Sequence, residues 1–299
     1  MNKYHIQACP LCGGKHFKHI MNCTDHLVTG EQFELLECAD CGFRFTQDAP
    51  DETEIGPYYK APDYISHSDT RDGWMNRLYH LVRSYMLGRK ARLVERALHA
   101  KGGRLLDYGA GTGYFAHTMY ERGWDVEAIE KDADARLFAL GHFDLKLLPE
   151  GELSSFEPGS FQVVTLWHVM EHVQSLDALW NRLHALLDDR GILVVAVPNC
   201  SSADAEHYGN RWAAYDVPRH LWHFTPGTMQ QFGAKHGFVL EQQHPMPFDA
   251  FYIAMMSERQ SGRKCPMMRG FLVGLKAWFQ AWGHKGKSSS VIYIFRKKR

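Results

Sequence analysis

The chain has 299 residues, of which 45% are apolar and 13% aromatic, enough for one full-sized domain and a small companion around packed cores. Lys plus Arg and Asp plus Glu are both 34, so no net field favours nucleic acid, an anionic membrane or an acidic substrate, and any basic patch must be local. The start, MNKYHIQACP, lacks the apolar core of a signal peptide, and no apolar run approaches the roughly 20 residues that span a bilayer, so a soluble, cytoplasmic chain is expected.

Four of the seven cysteines form two pairs, Cys9-x2-Cys12 and Cys38-x2-Cys41, in CPLCGG and CADCGF, with 25 residues between the pairs. Two thiolates at this spacing grip one edge of a tetrahedron, and the glycine after each pair lets the knuckle turn so that backbone amides point at sulfur. Residues 1–50 therefore read as a zinc ribbon with a structural zinc on Cys9, Cys12, Cys38 and Cys41, while Cys23, Cys200 and Cys265 read as free thiols. Residues 51–73, rich in Pro, Asp, Gly and Tyr, read as a linker. Helical spacing of Leu78, Leu81, Val82, Tyr85, Met86, Leu93, Val94 and Leu98 then predicts a helix over 74–98.

From Gly103 strands and helices alternate. RLLDYG, DVEAIEK, FQVVTLW and GILVVAVPN read as strands, YFAHTMYERG and SLDALWNRLHALLDD as helices, and a third strand is expected just before Glu152. Short apolar strands separated by helices predict an α/β fold with a doubly wound, mainly parallel sheet over 74–299. The first strand opens into LLDYGAGTGYF, where Gly109, Gly111 and Gly113 allow a tight turn and a close ligand approach before a helix N-terminus. Glu130 ends the next strand about 20 residues on, where ribose hydroxyls would be met. The dinucleotide fingerprint G-x-G-x-x-G would need glycine at Tyr114 and is not present.

The spacing D-x-G-x-G-x-G, from Asp107 through Gly113, resembles that of the class I S-adenosylmethionine-dependent methyltransferases, whose fold is a Rossmann-like doubly wound sheet. The resemblance runs from about residue 70 to the end. It implies that Asp107, Gly109, Gly111, Gly113 and Glu130 bind S-adenosylmethionine, that Glu152 and Leu153 lie near adenine, and that Trp167 lies beside the cofactor. An N-terminal four-Cys ribbon, a YY-x4-Y stretch, HVMEHV and DVPRHLWHF together look like a bacterial branch of this family.

WHVMEHV, residues 167–173, leaves the fourth strand beside that cofactor. Its His168, Glu171 and His172 match an inverzincin pattern, but the next helix is expected only near Ser175. Quinone and small-RNA methyltransferases carry ExxEH here with a divalent metal; this chain keeps Glu171 and His172 and has His168 for the first Glu, which disfavours Mg2+ and leaves a softer second ion at Glu171 and His172 open. The alternative is that Glu171 and His172 cap the following helix. A second polar cluster, residues 206–226, could place Arg219, His220 and His223 against an acceptor, with Trp212 and Tyr215 alongside or simply in the core. Residues 263–287 form a helix apolar on most sides, with Phe271, Leu275, Trp278 and Trp282 at helical spacing and basic flanks. It is expected to pack as a cap before the strand SVIYIFRKK, or to serve a dimer contact or a weak membrane-surface contact.

These readings predict methyl transfer from S-adenosylmethionine to a small or amphiphilic acceptor, with His168, Glu171, His172 and His220 on the acceptor side and His168 or His220 as the base where one is needed. An RNA methyltransferase, a sugar C-methyltransferase and a non-enzymatic binding module are the alternatives, the first opposed by the neutral charge.

Overall fold

The computed structural model describes residues 2–59, 74–246, 248–283 and 285–298; residues 60–73, most of the expected linker, lie outside the described residues. The N-terminal segment carries β1 (Lys3–Tyr4), β2 (Phe17–Thr24), β3 (Gln32–Cys38), β4 (Arg44–Thr46) and β5 (Ala49–Pro50). Then follow α1 (Trp74–Leu98), β6 (Arg104–Tyr108), α2 (Tyr114–Glu121), β7 (Asp125–Ile129), α3 (Ala133–Phe143), β8 (Phe161–Trp167), α4 (Leu176–Leu186), β9 (Leu187–Pro198), α5 (Ala203–Tyr208) and β10 (Trp222–His223). The chain ends with α6 (Pro226–Lys235), β11 (Phe238–Pro245), α7 (Asp249–Gln260), α8 (Pro266–Gly283) and β12 (Ser290–Lys297).

The central sheet has the order β11-β12-β9-β8-β6-β7, with β7, β6, β8 and β9 parallel and β12 and β11 antiparallel. Its strands read as near-continuous apolar runs because helices cover both faces, and every residue from Gly191 to Pro198 of β9 is buried. Two expectations change. The third strand shrinks to one bridge, Leu148 to Ile129, because Pro149 cannot donate to a ladder and starts a 3-10 turn over Glu150–Ser155. The helix expected through Asp189 ends at Leu186, since Leu187 joins the sheet opposite Phe161 ahead of a register shift.

The N-terminal segment shares the main core. β10 pairs with β4, Trp222 opposite Phe45, and continues the sheet through β3 and β2. Phe43 stacks on Trp222 and meets Phe224 and Phe232 edge-on or tilted, all four rings buried.

Two helices differ from their expected faces. On α1 Leu81 and Tyr85 are exposed, while the expected Leu93, Val94 and Leu98 do pack on the core, joined by Ala91 and Ala97. On α8 the small residues Gly270, Gly274, Ala277 and Ala281 face inward. A Cβ at 270 would lie 2.5 Å from the Met255 Cα and one at 274 would lie 2.8 Å from the Phe251 Cα, so α7 and α8 approach backbone to backbone. The aromatic residues expected to bury α8 point elsewhere.

Arg219, expected as a candidate acceptor contact, is buried. Its Nη2 lies 3.0 Å from Asp25 and 2.7 Å from Asp216, its Nε donates to Asp216 and its Nη1 to the Tyr58 carbonyl. Asp25 is equally buried and also accepts from the Thr29 amide. Burial opposes ionisation of Asp25, yet the Thr29 amide and the Arg219 charge hold its pKa below the ordinary value. Replacing Arg219 by Ala would leave the buried Asp25 without its counter-charge, so Arg219→Ala should cost about 3–5 kcal/mol in urea unfolding. A loss below about 1 kcal/mol would show that water replaces the guanidinium.

Candidate active site

β6 ends at Tyr108, and the chain turns through Gly109, Gly111 and Gly113 with φ of 74°, 55° and 82°, a left-handed conformation that favours glycine at all three positions. A Cβ at 109 would overlap the Val169 side chain, whereas one at 111 would meet nothing within 4 Å. The turn is thus pressed against the segment after β8 on one side and open on the other. Glu130, directly after β7, flanks the open side: its carboxylate accepts from the Gly111 amide at 2.8 Å and the Asp132 amide at 2.9 Å.

Asp107 lies beneath the turn, 1% exposed, and accepts from the Thr165 hydroxyl at 2.6 Å through Oδ1. Its Oδ2 is buried with no partner. Burial pushes its pKa up to about 7, against the pull of Thr165 and the Lys90 charge. Trp167 packs edge-on to Phe115, and the Lys90 ammonium sits 4.2 Å over its ring. Glu152 is exposed on the 3-10 turn and the Leu153 carbonyl accepts from Arg182; the same turn carries Glu150, which accepts from the Tyr108 hydroxyl at 2.6 Å.

The HVMEH segment is a turn between β8 and Ser175, the residue before α4, and not a helix. His168 has φ of 57°, a strained value for a non-glycine residue. That conformation points its ring between two acids, Nδ1 3.3 Å from Glu171 and Nε2 3.2 Å from Asp249, the first residue of α7. Burial works against its charge, but the hydrogen bonds to Asp249 and Glu171 raise its pKa to about 9. Near neutral pH His168 is an imidazolium and has no lone pair with which to act as a base.

His172 is its opposite. Burial and the neighbouring His220 lower its pKa to about 4. Its Nδ1 donates to the Arg219 carbonyl at 3.1 Å, with the Tyr59 hydroxyl 3.2 Å away, which leaves Nε2 as the lone-pair atom. His220, from the 206–226 cluster, donates Nδ1 to the Ala214 carbonyl at 2.8 Å, and its ring lies 4.6 Å from that of His172. Glu171 Oε2 is buried without a partner. Glu171, His172 and His220 each offer one ligand atom, and these lie within 4.8 Å of one another.

Tyr59 and Asp249 were not among the residues singled out in the sequence. Tyr59 lies at the end of the N-terminal segment, with its hydroxyl at His172 and Lys131 5.0 Å over its ring, and so bridges the two motifs. The YY-x4-Y stretch was its one signal; Asp249 had none. His223, Trp212 and Tyr215 are buried, with His223 hydrogen-bonded to Thr46, and take the core reading.

Away from this pocket the four ribbon cysteines converge. Cys9 and Cys41 sulfurs are 3.6 Å apart, Cys12 and Cys38 sulfurs 3.5 Å, and the Gly14 amide points at the Cys12 sulfur. Gly13 and Gly42 take φ of 77° and 73°, as the knuckle turns require.

A family described as "Methyltransferase domain" matches residues 82–243. Ubiquinone biosynthesis O-methyltransferase of Xanthomonas euvesicatoria is 31% identical over 117 residues, covering 37% of this chain and 49% of the relative. The protein of the same name from Rhodopseudomonas palustris is 28% identical over 163 residues, covering 50% of this chain and 63% of the relative. The chain therefore spans about half of the first of these relatives and about three fifths of the second. A Galdieria sulphuraria structure assigned as a sarcosine dimethylglycine methyltransferase superposes with a TM-score of 0.52 at 14% identity, covering 75% of this chain and 88% of that one, a likeness of fold.

The buried Asp107 carboxyl should leave a mark on stability. Its folded pKa is raised, so the folded chain binds more protons than the unfolded chain between the ordinary aspartate value and about pH 7, and stability falls as pH rises through that window. Asp107→Asn removes this penalty. Without cofactor the variant should gain on wild type by about 4 kcal/mol between pH ~4 and pH ~8 in chemical unfolding. A difference constant across that range would mean that Asp107 titrates normally.

Proposed function

The chain belongs to the methyltransferase-domain family, and from that premise we propose that it moves the sulfonium methyl of S-adenosylmethionine to an oxygen, nitrogen or carbon of a small or amphiphilic acceptor. The observation that carries this reading is the contact of Gly109 with Val169, which joins the cofactor turn to the HVMEH segment in one pocket. An oxygen nucleophile is favoured by the names of the two ubiquinone O-methyltransferase relatives.

The residues present fit the cofactor. Open space over Gly111, the unpartnered Asp107 Oδ2 and the Glu130 carboxylate at the turn are what an adenosyl amino acid would occupy. In this reading Glu130 binds the ribose hydroxyls, the amides after Gly109 and Gly111 approach the amino-acid end, and Trp167, Glu152 and Leu153 border the adenosyl group. When bound, the cofactor supplies an electrophilic methyl and leaves as a neutral thioether. The protein's part is alignment and a dry pocket. Where the acceptor must lose a proton, Nε2 of His220 or of His172 takes it, since each ring commits Nδ1–H to a backbone carbonyl, whereas His168 is already protonated. His168 fixes Glu171 and the start of α7, and His220 lines the same wall.

A second reading of that wall is favoured by the three-donor cluster: Glu171, His172 and His220 would hold a divalent ion through one carboxylate oxygen and two imidazole nitrogens. Both imidazoles have Nδ1 committed to backbone carbonyls, the arrangement common to ligating histidines. Two nitrogens select Mn, Fe or Zn over Mg. When bound, such an ion would acidify an acceptor hydroxyl.

The four ribbon thiols are proposed to hold a structural zinc within residues 1–50, and 74–299 to form the catalytic domain on which the ribbon rests through β4 and β10. Two experiments test these assignments. Calorimetry should show S-adenosylhomocysteine binding that Glu130→Ala weakens about 10- to 100-fold and Gly111→Val abolishes, with no binding of NAD; a preference for NAD would overturn the cofactor reading. Elemental analysis of the wild type should give about one zinc per chain, lost in Cys38→Ser with Cys41→Ser. A second equivalent of Mn or Fe, lost in His172→Ala with His220→Ala, would establish the ion reading over the proton-acceptor reading, and its absence would reverse that order.

A further inference from the structure

The outward side of α8 is unexplained by anything above. At about 100° per residue, Gly270, Gly274, Ala277 and Ala281 form the narrow stripe against α7. Next to it, over roughly 140° of the helix circumference, lie Met267, Phe271, Trp282, Met268, Phe279 and Leu272. Each of these six is more than half exposed. The remaining sector holds Lys276, Arg269 and Gln280. A helix that meant only to cap the domain would turn its aromatics inward; here glycine and alanine take the inward side and the aromatics face outward.

The apolar surface does not stop at α8. Phe271 lies against Phe251 of α7, and exposed Tyr252 and Phe248 continue it to exposed Tyr85 of α1, which meets Phe248 edge-on. Asp249, between Phe248 and Ala250, is the acid bonded to His168. The apolar platform therefore borders the proposed acceptor wall.

Charge identifies what covers it. Residues 261–299 contain ten of the chain's 34 Lys and Arg and none of its 34 Asp and Glu. Six of these ten, Arg263, Lys264, Arg269, Lys276, Lys285 and Lys287, lie on α8 or flank it. Of them Arg263 and Arg269 meet Glu258 and Lys287 meets Glu206, while Arg296 lies at the far end of β12 opposite Ile192. An apolar sector edged by lysine and arginine, with tryptophan and phenylalanine at its surface, matches an anionic lipid headgroup layer. Among the described residues no helix is long and apolar enough to cross a membrane, which agrees with a helix lying in the interface plane.

We propose that α7 and α8 form a docking surface for an anionic lipid bilayer, laying the rim of the pocket against the headgroups. This surface stands independently of which acceptor is methylated, because its test reads lipid binding alone. The full chain is sedimented with phosphatidylcholine vesicles with and without phosphatidylglycerol. Binding is expected to the anionic vesicles, to weaken tenfold or more in Phe279→Asp with Trp282→Asp, and to weaken about fivefold in Lys276→Glu or when salt is raised. Because these side chains are exposed, the variants should keep the wild-type melting temperature and S-adenosylhomocysteine affinity. Absence of vesicle binding by the folded wild type, or binding that the variants leave intact, would overturn the proposal. So would a dimer by light scattering that Phe279→Asp with Trp282→Asp converts to monomer, since a second copy would then be the occupant of the face.

Discussion

The buried guanidinium of Arg219 is the constraint from which the pocket is built. Removing such a charge from water is costly, and the cost is offset because carboxylates and carbonyls converge on it from three parts of the chain: Asp25 between β2 and β3, the Tyr58 carbonyl at the end of the N-terminal segment, and Asp216 with the Val217 carbonyl in its own loop. The same residue acts through its backbone, since its carbonyl accepts from His172 Nδ1. One ion cluster therefore sets where Tyr59 lies, how the 206–226 loop runs and which nitrogen of His172 is left with a lone pair. Tyr59 then closes the wall between Lys131 and His172, so the N-terminal segment contributes to the pocket itself.

Two imidazoles four residues apart end with opposite charges because their neighbours differ. His168 stands between two carboxylates, whose hydrogen bonds overcome burial and raise it to about 9. His172 has a carbonyl and a phenol as its hydrogen-bond partners and another imidazole beside it, and burial with the neighbouring His220 outweighs the favourable pull of Glu171 and Asp216 and lowers it to about 4. Neighbouring titratable groups driven apart in this way separate roles, one fixed as a charge and one free to exchange a proton or hold an ion. A sequence shows the pair HxxxH but not the carbonyl or the distant acid that divides it.

That difference runs through the whole chain. The glycine turn was legible because φ near 74°, 55° and 82° restricts residue type, and Glu130 because its distance along the chain follows from one helix and one strand. The parallel strands were legible because burial on both faces demands unbroken apolar runs. The third strand was not, since a single proline at 149 reduced it to one bridge. Arg219 was expected to face an acceptor and lies in the core, because its partners Asp25 and Tyr58 come from remote parts of the chain. On α8 the aromatic spacing predicted burial, while the weaker glycine and alanine spacing at 270, 274, 277 and 281 carried the true contact.

Helix α7 links these observations. Its first residue, Asp249, holds His168 at one end of the pocket, while its Phe251 and Met255 backbone lies directly under Gly274 and Gly270 of α8. A contact made by glycine against backbone has no side chain to yield, so α8 and α7 must move together or part altogether. His168, at its strained φ, has its amide on the Ala196 carbonyl and its ring between Glu171 and Asp249, so one of the two acids that hold the ring comes from a helix whose other side is turned to the protein surface.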